Sequence, residues 1–240
     1  MVMYDIIGSI ALLDPKVNKK EAKVLLKQKN IHTVMQKREG HEGRYRLQKL
    51  VHVAGERQTL TQHNESGVRI VVDVAKAYFS PRLGTERLRI AKLVKKGESV
   101  VVLFGGVAPY ALVIAKHAHP GKVVSIEWNP AAHKLAEENI LLNKVTVTAV
   151  KGNARAAKGK FDRVVMMHPA GAYRYLEAAR KLCKRGGTIH VYAFVDEENI
   201  KKRGEQLATR LGGVVKVAQK TAQVSPRRFR MCYDILSKHA

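Results

Sequence analysis

The chain has 240 residues, 44 of them Lys or Arg against 20 Asp or Glu, which gives a formal charge of +24 and calls for a polyanionic partner. A hydrophobic fraction of 45% can fill a real core, and this excludes a disordered basic tail or a histone-like arm. No stretch approaches the roughly 18 consecutive apolar residues of a membrane helix, and the N-terminus lacks a charged start followed by an apolar core, so neither membrane insertion nor secretion is predicted. The two cysteines, Cys183 and Cys232, form no disulfide framework and have no zinc-ligand spacing; the expected setting is cytoplasmic and reducing, with no metal.

Taken in chain order, residues 1–79 read as a small α+β module that faces RNA or substrate. Tyr4 to Leu13 is strand-like with a bulge at Gly8, and a basic helix runs from Asn18 to Lys29 with Ala22, Leu25 and Leu26 on its apolar face. Segments 31–37, 44–53 and 68–79 read as β-rich, with turns at Glu39-Gly40-His41 and Asn64-Glu65-Ser66-Gly67. From residue 80 to 240 helices and strands alternate. Helices are predicted at 84–96, 109–118, 130–142, 171–183 and 197–211, and strands at 99–104, 123–127, 145–151, 161–167 and 187–194. This rhythm predicts a parallel sheet covered on both faces. Segments 214–223 and 229–236 are separated only by Ser225-Pro226-Arg227-Arg228, too short for a helical crossover, so the sheet should end in an antiparallel hairpin.

Ligands of an open α/β sheet sit at the carboxyl ends of its strands. The first strand of the second part ends Val102-Leu103-Phe104-Gly105-Gly106-Val107-Ala108-Pro109, where small residues let a cofactor approach the backbone. Glu127, about twenty residues on, can hydrogen-bond ribose hydroxyls, and Trp128 offers a face to a purine. Dinucleotide and S-adenosylmethionine sites share this spacing, and close packing alone would also produce the glycine pair.

A longer set of motifs narrows the choice. Tyr4-Asp5-Ile6-Ile7-Gly8, Glu42-Gly43-Arg44-Tyr45-Arg46, Tyr78-Phe79-Ser80-Pro81-Arg82-Leu83-Gly84-Thr85-Glu86-Arg87 and Gly186-Gly187-Thr188-Ile189-His190-Val191-Tyr192 resemble the archaeal and eukaryotic tRNA (guanine-37-N1) methyltransferases over nearly the whole chain. The resemblance implies a Rossmann-like class I methyltransferase sheet behind the small α+β domain, S-adenosylmethionine as methyl donor and structured RNA as partner. It also implies that the extra N-terminal domain many members use to grip the tRNA corner is absent. In the implied site Glu86 is the general base that takes the guanine N1 proton, and Arg46 balances negative charge growing on O6. Phe104, Gly105, Gly106, Glu127, Trp128, Asn153 and Pro169 form the cofactor pocket.

The sequence also departs from the family pattern. Val102 and Asn153 stand where the family has aspartates, Ala108 stands where it has a glycine, and Met167-His168-Pro169 replaces Asn-Leu-Pro. His168 reads as a hydrogen-bond donor beside RNA or as a new acid/base, and His190 and Tyr192 read as packed strand residues. Lys19, Lys20, Lys23, Arg82, Arg87, Arg227, Arg228 and Arg230 are the expected phosphate contacts. Two functions are consistent with this: an active tRNA methyltransferase, or an inactive relative that binds structured RNA, ribosomal RNA included, as part of a larger assembly. The related aminocarboxypropyl transferases are a third.

Overall fold

A computed structural model describes residues 4–17, 20–43, 45 and 47–238. Its first part folds back sooner than the sequence reading expects. Strands β1 (Tyr4–Ile7) and β2 (Ile10–Leu13) form an antiparallel pair rather than one bulged strand. They hinge at Gly8, whose φ of 54° and contact with the Gln62 carbonyl leave no place for a side chain. β2 runs parallel to β3 (Thr33–Glu42), which pairs antiparallel with β4 (Leu47–Gly55). The expected turn at 39–41 is absorbed inside β3 as a register shift between Lys37 and His41. Helix α1 (Lys20–Leu25) buries Ala22 and Leu25 beside Ala11, Leu13, Ile31 and Val34. It ends before Lys29 because the residues after Leu26 are Lys27-Gln28-Lys29-Asn30, with no apolar side chain to extend the stripe.

β5 (Leu60–Glu65) pairs with β6 (Val68–Asp73) through a tight turn at Ser66-Gly67. The sequence reading missed β5, whose Leu-Thr-Gln-His-Asn-Glu is mostly polar and buries only Thr61. β6 stops at Asp73, short of the expected Phe79, because the Asp73 carboxylate accepts from the Ala75 N–H and turns the chain.

The remaining elements are α2 (Gly84–Leu93), β7 (Ser99–Leu103), α3 (Pro109–His117), β8 (Lys122–Glu127), α4 (Pro130–Asn143), β9 (Thr148–Lys151), β10 (Phe161–Met166), α5 (Leu176–Leu182), β11 (Cys183–Asp196), α6 (Ile200–Leu211), β12 (Gly213–Ser225) and β13 (Arg228–Ser237). They build a seven-stranded sheet in the order β12-β13-β11-β10-β7-β8-β9. β9 through β11 are parallel, and β13 and β12 close the sheet as the expected antiparallel hairpin. Asn129 caps α4 by accepting from the Ala131 N–H at 3.0 Å, with Pro130 in the first turn.

One core face gathers Ile90, Val102, Leu112 and Val165, and the other gathers Val101, Leu103, Leu176 and Leu207. Ile70 and Val72 of β6 join the first cluster. Asn139 and Asn143 of α4 hold the backbone of Val71 and Arg69 by paired bonds of 2.6–3.0 Å. The hairpin is thereby docked on the helices of the large sheet. Among the described residues no helix is long and apolar enough to cross a membrane.

Candidate active site

Strand order reverses between β7 and β10, since the chain steps outward through β8 and β9 and then returns to the far side of β7. A cleft of about 380 Å³ opens there, at the carboxyl ends of the strands. All seven residues expected of a cofactor pocket line it: Phe104, Gly105, Gly106, Glu127, Trp128, Asn153 and Pro169. Gly105 packs so closely on Ser125 that a side chain there would collide with its hydroxyl, an otherwise unpartnered buried oxygen. Phe104 and Ala108, on either side of the glycine pair, take left-handed φ angles of 60° and 66°. Ala108 therefore carries the conformation for which the family uses glycine, and such strain concentrates at functional sites.

Glu127 is fixed rather than pendant. One carboxylate oxygen accepts from the Gly106 N–H at 2.7 Å and the other from the Asn129 N–H at 2.7 Å. Trp128 is 42% exposed beside it, with Tyr45 edge-on at 6.3 Å. At the other end Phe104, His168 and Tyr175 form an aromatic cluster, Phe104 lying 4.8 Å from His168 and 4.7 Å from Tyr175. His168 is thus a wall residue of the cleft.

The family departures affect the cleft unequally. Val102 is buried in the core and does not line the cleft, so valine there takes no polar group from its wall. Met167 does line it. Asn153 lines it as well, but its side-chain oxygen is spent on the Arg155 N–H at 3.0 Å. An apolar floor, two glycines, an anchored acid and exposed aromatic faces fit a nucleoside cofactor such as S-adenosylmethionine.

Glu86, the implied general base, is buried behind the cleft wall. It is 6% exposed and does not line the cleft. Its carboxylate accepts from Arg89 at 2.7 and 2.8 Å and from the Tyr192 hydroxyl at 2.6 Å. Arg89 reaches on to Asp234 at 2.8 Å, which accepts from His190 Nδ1 at 2.6 Å, while Arg163 donates to His190 Nε2 at 2.7 Å and to Glu98 at 2.9 Å. An arginine can only donate, so His190 is neutral with its proton on Nδ1. His190 and Tyr192 are packed strand residues as expected, but they are also links in a buried polar chain.

His190, Cys232 and Asp234 converge although their spacing in sequence gives no sign of it. Burial and the neighbouring Asp234 push the Cys232 thiol well above its usual range, so it stays protonated and the trio reads as a hydrogen-bond network.

The network makes stability depend on pH. Burial holds the His190 pKa below its ordinary value, so between the two values the unfolded chain binds a proton that the folded one does not. Burial alone would raise Asp234, but His190 and Arg89 outweigh it and hold the carboxyl well below the usual range. Both shifts make stability rise with pH. The unfolding free energy is expected to fall as pH drops below about 6.5, and again below about 4, by about 1.4 kcal/mol per pH unit for each proton of difference, and the urea midpoint with it. A midpoint unchanged between pH 7 and pH 5 would contradict the part assigned to His190.

The expected phosphate contacts divide. Arg46 and Lys19 lie outside the described residues. Arg87 is 1% exposed, paired with Glu65 and stacked 5.0 Å from the Phe79 ring, so it is a core residue and not a phosphate contact. Lys20 and Lys23 are exposed on α1. Arg82 is about half exposed and reaches Asp5 at 2.5 Å. Asp196, the last residue of β11, pairs with Arg228, which puts Arg227 and Arg228 at the sheet end where the cleft opens. Arg230 itself lines the cleft. Tyr78, Tyr110, Tyr175 and Phe194 also line it; lone aromatics at strand and helix ends carry no spacing signal that would have singled them out.

A doubly covered sheet whose strand order reverses at a glycine turn is the Rossmann-like class I methyltransferase fold. Residues 61–216 match the TRM5/TYW2 methyltransferase domain, and the chain belongs to that family. It is 39% identical over 244 residues to the tRNA (guanine(37)-N(1))-methyltransferase Trm5b of Pyrococcus abyssi, covering 96% of this chain and 73% of that protein. A solved complex of aTrm5 and tRNALeu superposes with a TM-score of 0.88 at 31% identity, over 99% of this chain and 72% of that one. P. horikoshii TYW2 in complex with MeSAdo superposes with a TM-score of 0.83 at 27% identity, over 98% of this chain and 90% of that one.

Proposed function

We propose that the chain transfers a methyl group from S-adenosylmethionine to N1 of guanine 37 in tRNA. The observation that carries this reading is the convergence of all seven expected cofactor residues on one cleft at the switch point of the sheet. When bound, S-adenosylmethionine supplies an electrophilic methyl. The Glu127 carboxylate, held by two backbone N–H groups, would hold the ribose hydroxyls, and Phe104, Trp128 and Pro169 would offer apolar contact to the nucleoside. Met167 and the capped Asn153 leave the cleft open, so the substitutions give no support to an inactive, ribosome-associated alternative.

Glu86 is the proposed final acceptor of the guanine proton and Arg46 the stabiliser of O6, both on the family resemblance. Lys19, Lys20, Lys23, Arg82, Arg227 and Arg228 are proposed to meet tRNA phosphates. We also propose the division into residues 1–79, which present the RNA-facing module, and 80–240, which carry most of the cleft, Tyr45, Tyr78 and Phe79 of the first part completing its lining.

Calorimetric titration of S-adenosylmethionine into wild type and Glu127→Ala tests the cofactor assignment. The variant is expected to bind about 10- to 100-fold more weakly, the loss of charge-assisted hydrogen bonds, with its melting profile verifying the fold. Equal affinity in the two proteins would reject Glu127 as the ribose ligand.

A further inference from the structure

Glu86, the general base of the proposed reaction, does not line the cleft, and two tyrosine hydroxyls connect it to a residue that does. Tyr110, in the first turn of α3, lines the cleft. Its hydroxyl donates to the Tyr192 hydroxyl at 3.2 Å, and Tyr192 donates to Glu86 at 2.6 Å. Tyr192 is fully buried on β11 and is not part of the cleft wall. We propose that the guanine N1 proton reaches Glu86 through a Tyr110–Tyr192 hydroxyl relay, a route that rests on the methyl-transfer reading above.

The transfer balances without an added reagent. The N1 lone pair forms a bond to the methyl carbon as the carbon–sulfur bond breaks and leaves its electron pair on sulfur. The N1 proton passes to the Tyr110 oxygen, the Tyr110 proton to the Tyr192 oxygen, and the Tyr192 proton to Glu86 Oε1. Each tyrosine ends neutral, and one proton ends on the carboxylate.

Charge in the network favours this direction. The connected groups Glu86, Asp234 and Glu98 bring three carboxylates against two guanidiniums, Arg89 and Arg163, with His190 neutral between them. A proton taken up at Glu86 cancels the surplus negative charge, and Arg89 keeps its partner in Asp234. Burial pushes both tyrosine hydroxyls up, so neither serves as a standing tyrosinate base.

The test uses single-turnover methyl transfer to a guanine-37 tRNA transcript, with cofactor and tRNA affinities measured for every variant. Tyr110→Phe and Tyr192→Phe are each expected to slow transfer by about 100-fold or more while both affinities stay within about threefold of wild type. Glu86→Gln should slow it as much, and Tyr192→Phe combined with Glu86→Gln no further, because a broken chain cannot be broken twice. In mixtures of H2O and D2O the wild-type rate should bend as for several protons in flight, and the curvature should vanish in Tyr192→Phe. In the free protein, a protected tyrosine hydroxyl resonance should shift in Glu86→Gln. Wild-type protein that transfers methyl while Tyr192→Phe keeps its rate, or single effects that multiply in the double variant, would overturn the relay and leave the methyltransferase reading standing. Wild-type protein inert at saturating cofactor would overturn that reading and the relay with it.

Discussion

The affinity of the chain for a tRNA transcript is expected to fall by about 10³- to 10⁵-fold between 50 and 200 mM salt, the loss that accompanies six to ten phosphate contacts. The charge of +24 is far larger than the acids can balance, and the described ion pairs consume only part of it. Arg227 and Arg228 stand at the end of the sheet where the cleft opens, Arg230 lines the cleft but is only 7% exposed, and Lys20 and Lys23 are exposed on α1. Replacing Arg227 and Arg228 together by Ala should reduce the slope of log affinity against log salt by about two, with little dependence on RNA sequence. Filter binding at four salt concentrations measures this, and a nearly flat dependence would remove the electrostatic account.

Arg87→Met is expected to cost about 3–5 kcal/mol of stability and to leave that salt slope unchanged. The guanidinium pairs with Glu65 through two N–H groups, donates to the Ser80 carbonyl at 3.1 Å, and lies against Phe79. Burial alone would raise the Glu65 pKa, but His63 and Arg87 together hold it below its ordinary value, so the carboxylate stays charged in the fold. Methionine would leave that charge buried without its guanidinium partner. The double change Arg87→Met with Glu65→Met should recover most of the loss, since removing both charges abolishes the desolvation cost. Chemical unfolding of the three proteins gives the answer. A single variant as stable as wild type would mean that the pair does not join the β5–β6 hairpin to α2.

The alternation of elements after residue 84 and the closing hairpin were legible because helix and strand periods differ and the loop at 225–228 is too short for anything else. So were the glycine turn and Glu127, local signals on adjacent strands, whereas Asn153 and Pro169 rested on the family resemblance alone. The small domain was harder to read. β5 carries no apolar alternation, because its stability comes from pairing with β6 and not from its own buried face. Arg87 resembled a phosphate ligand in a motif rich in arginine, and only the fold shows that Glu65, 22 residues away, claims it. Glu86 resembled an open base. Arg89 meets it as an i,i+3 neighbour on α2, but Tyr192 comes from β11 and Asp234, joined through Arg89, from β13, and no spacing in the chain announces their meeting. The His190–Asp234 contact was invisible for the same reason.

The central claim is that this cleft supports methyl transfer to guanine 37, and the most direct measurement is a single-turnover assay with radiolabelled S-adenosylmethionine and two transcripts that differ only in guanine or adenine at position 37. The account predicts label in the guanine transcript alone, recovered after digestion as N1-methylguanosine. No methyl label in either transcript at saturating cofactor, or label that transfers only when the cofactor is labelled in its carboxyl carbon, would contradict it.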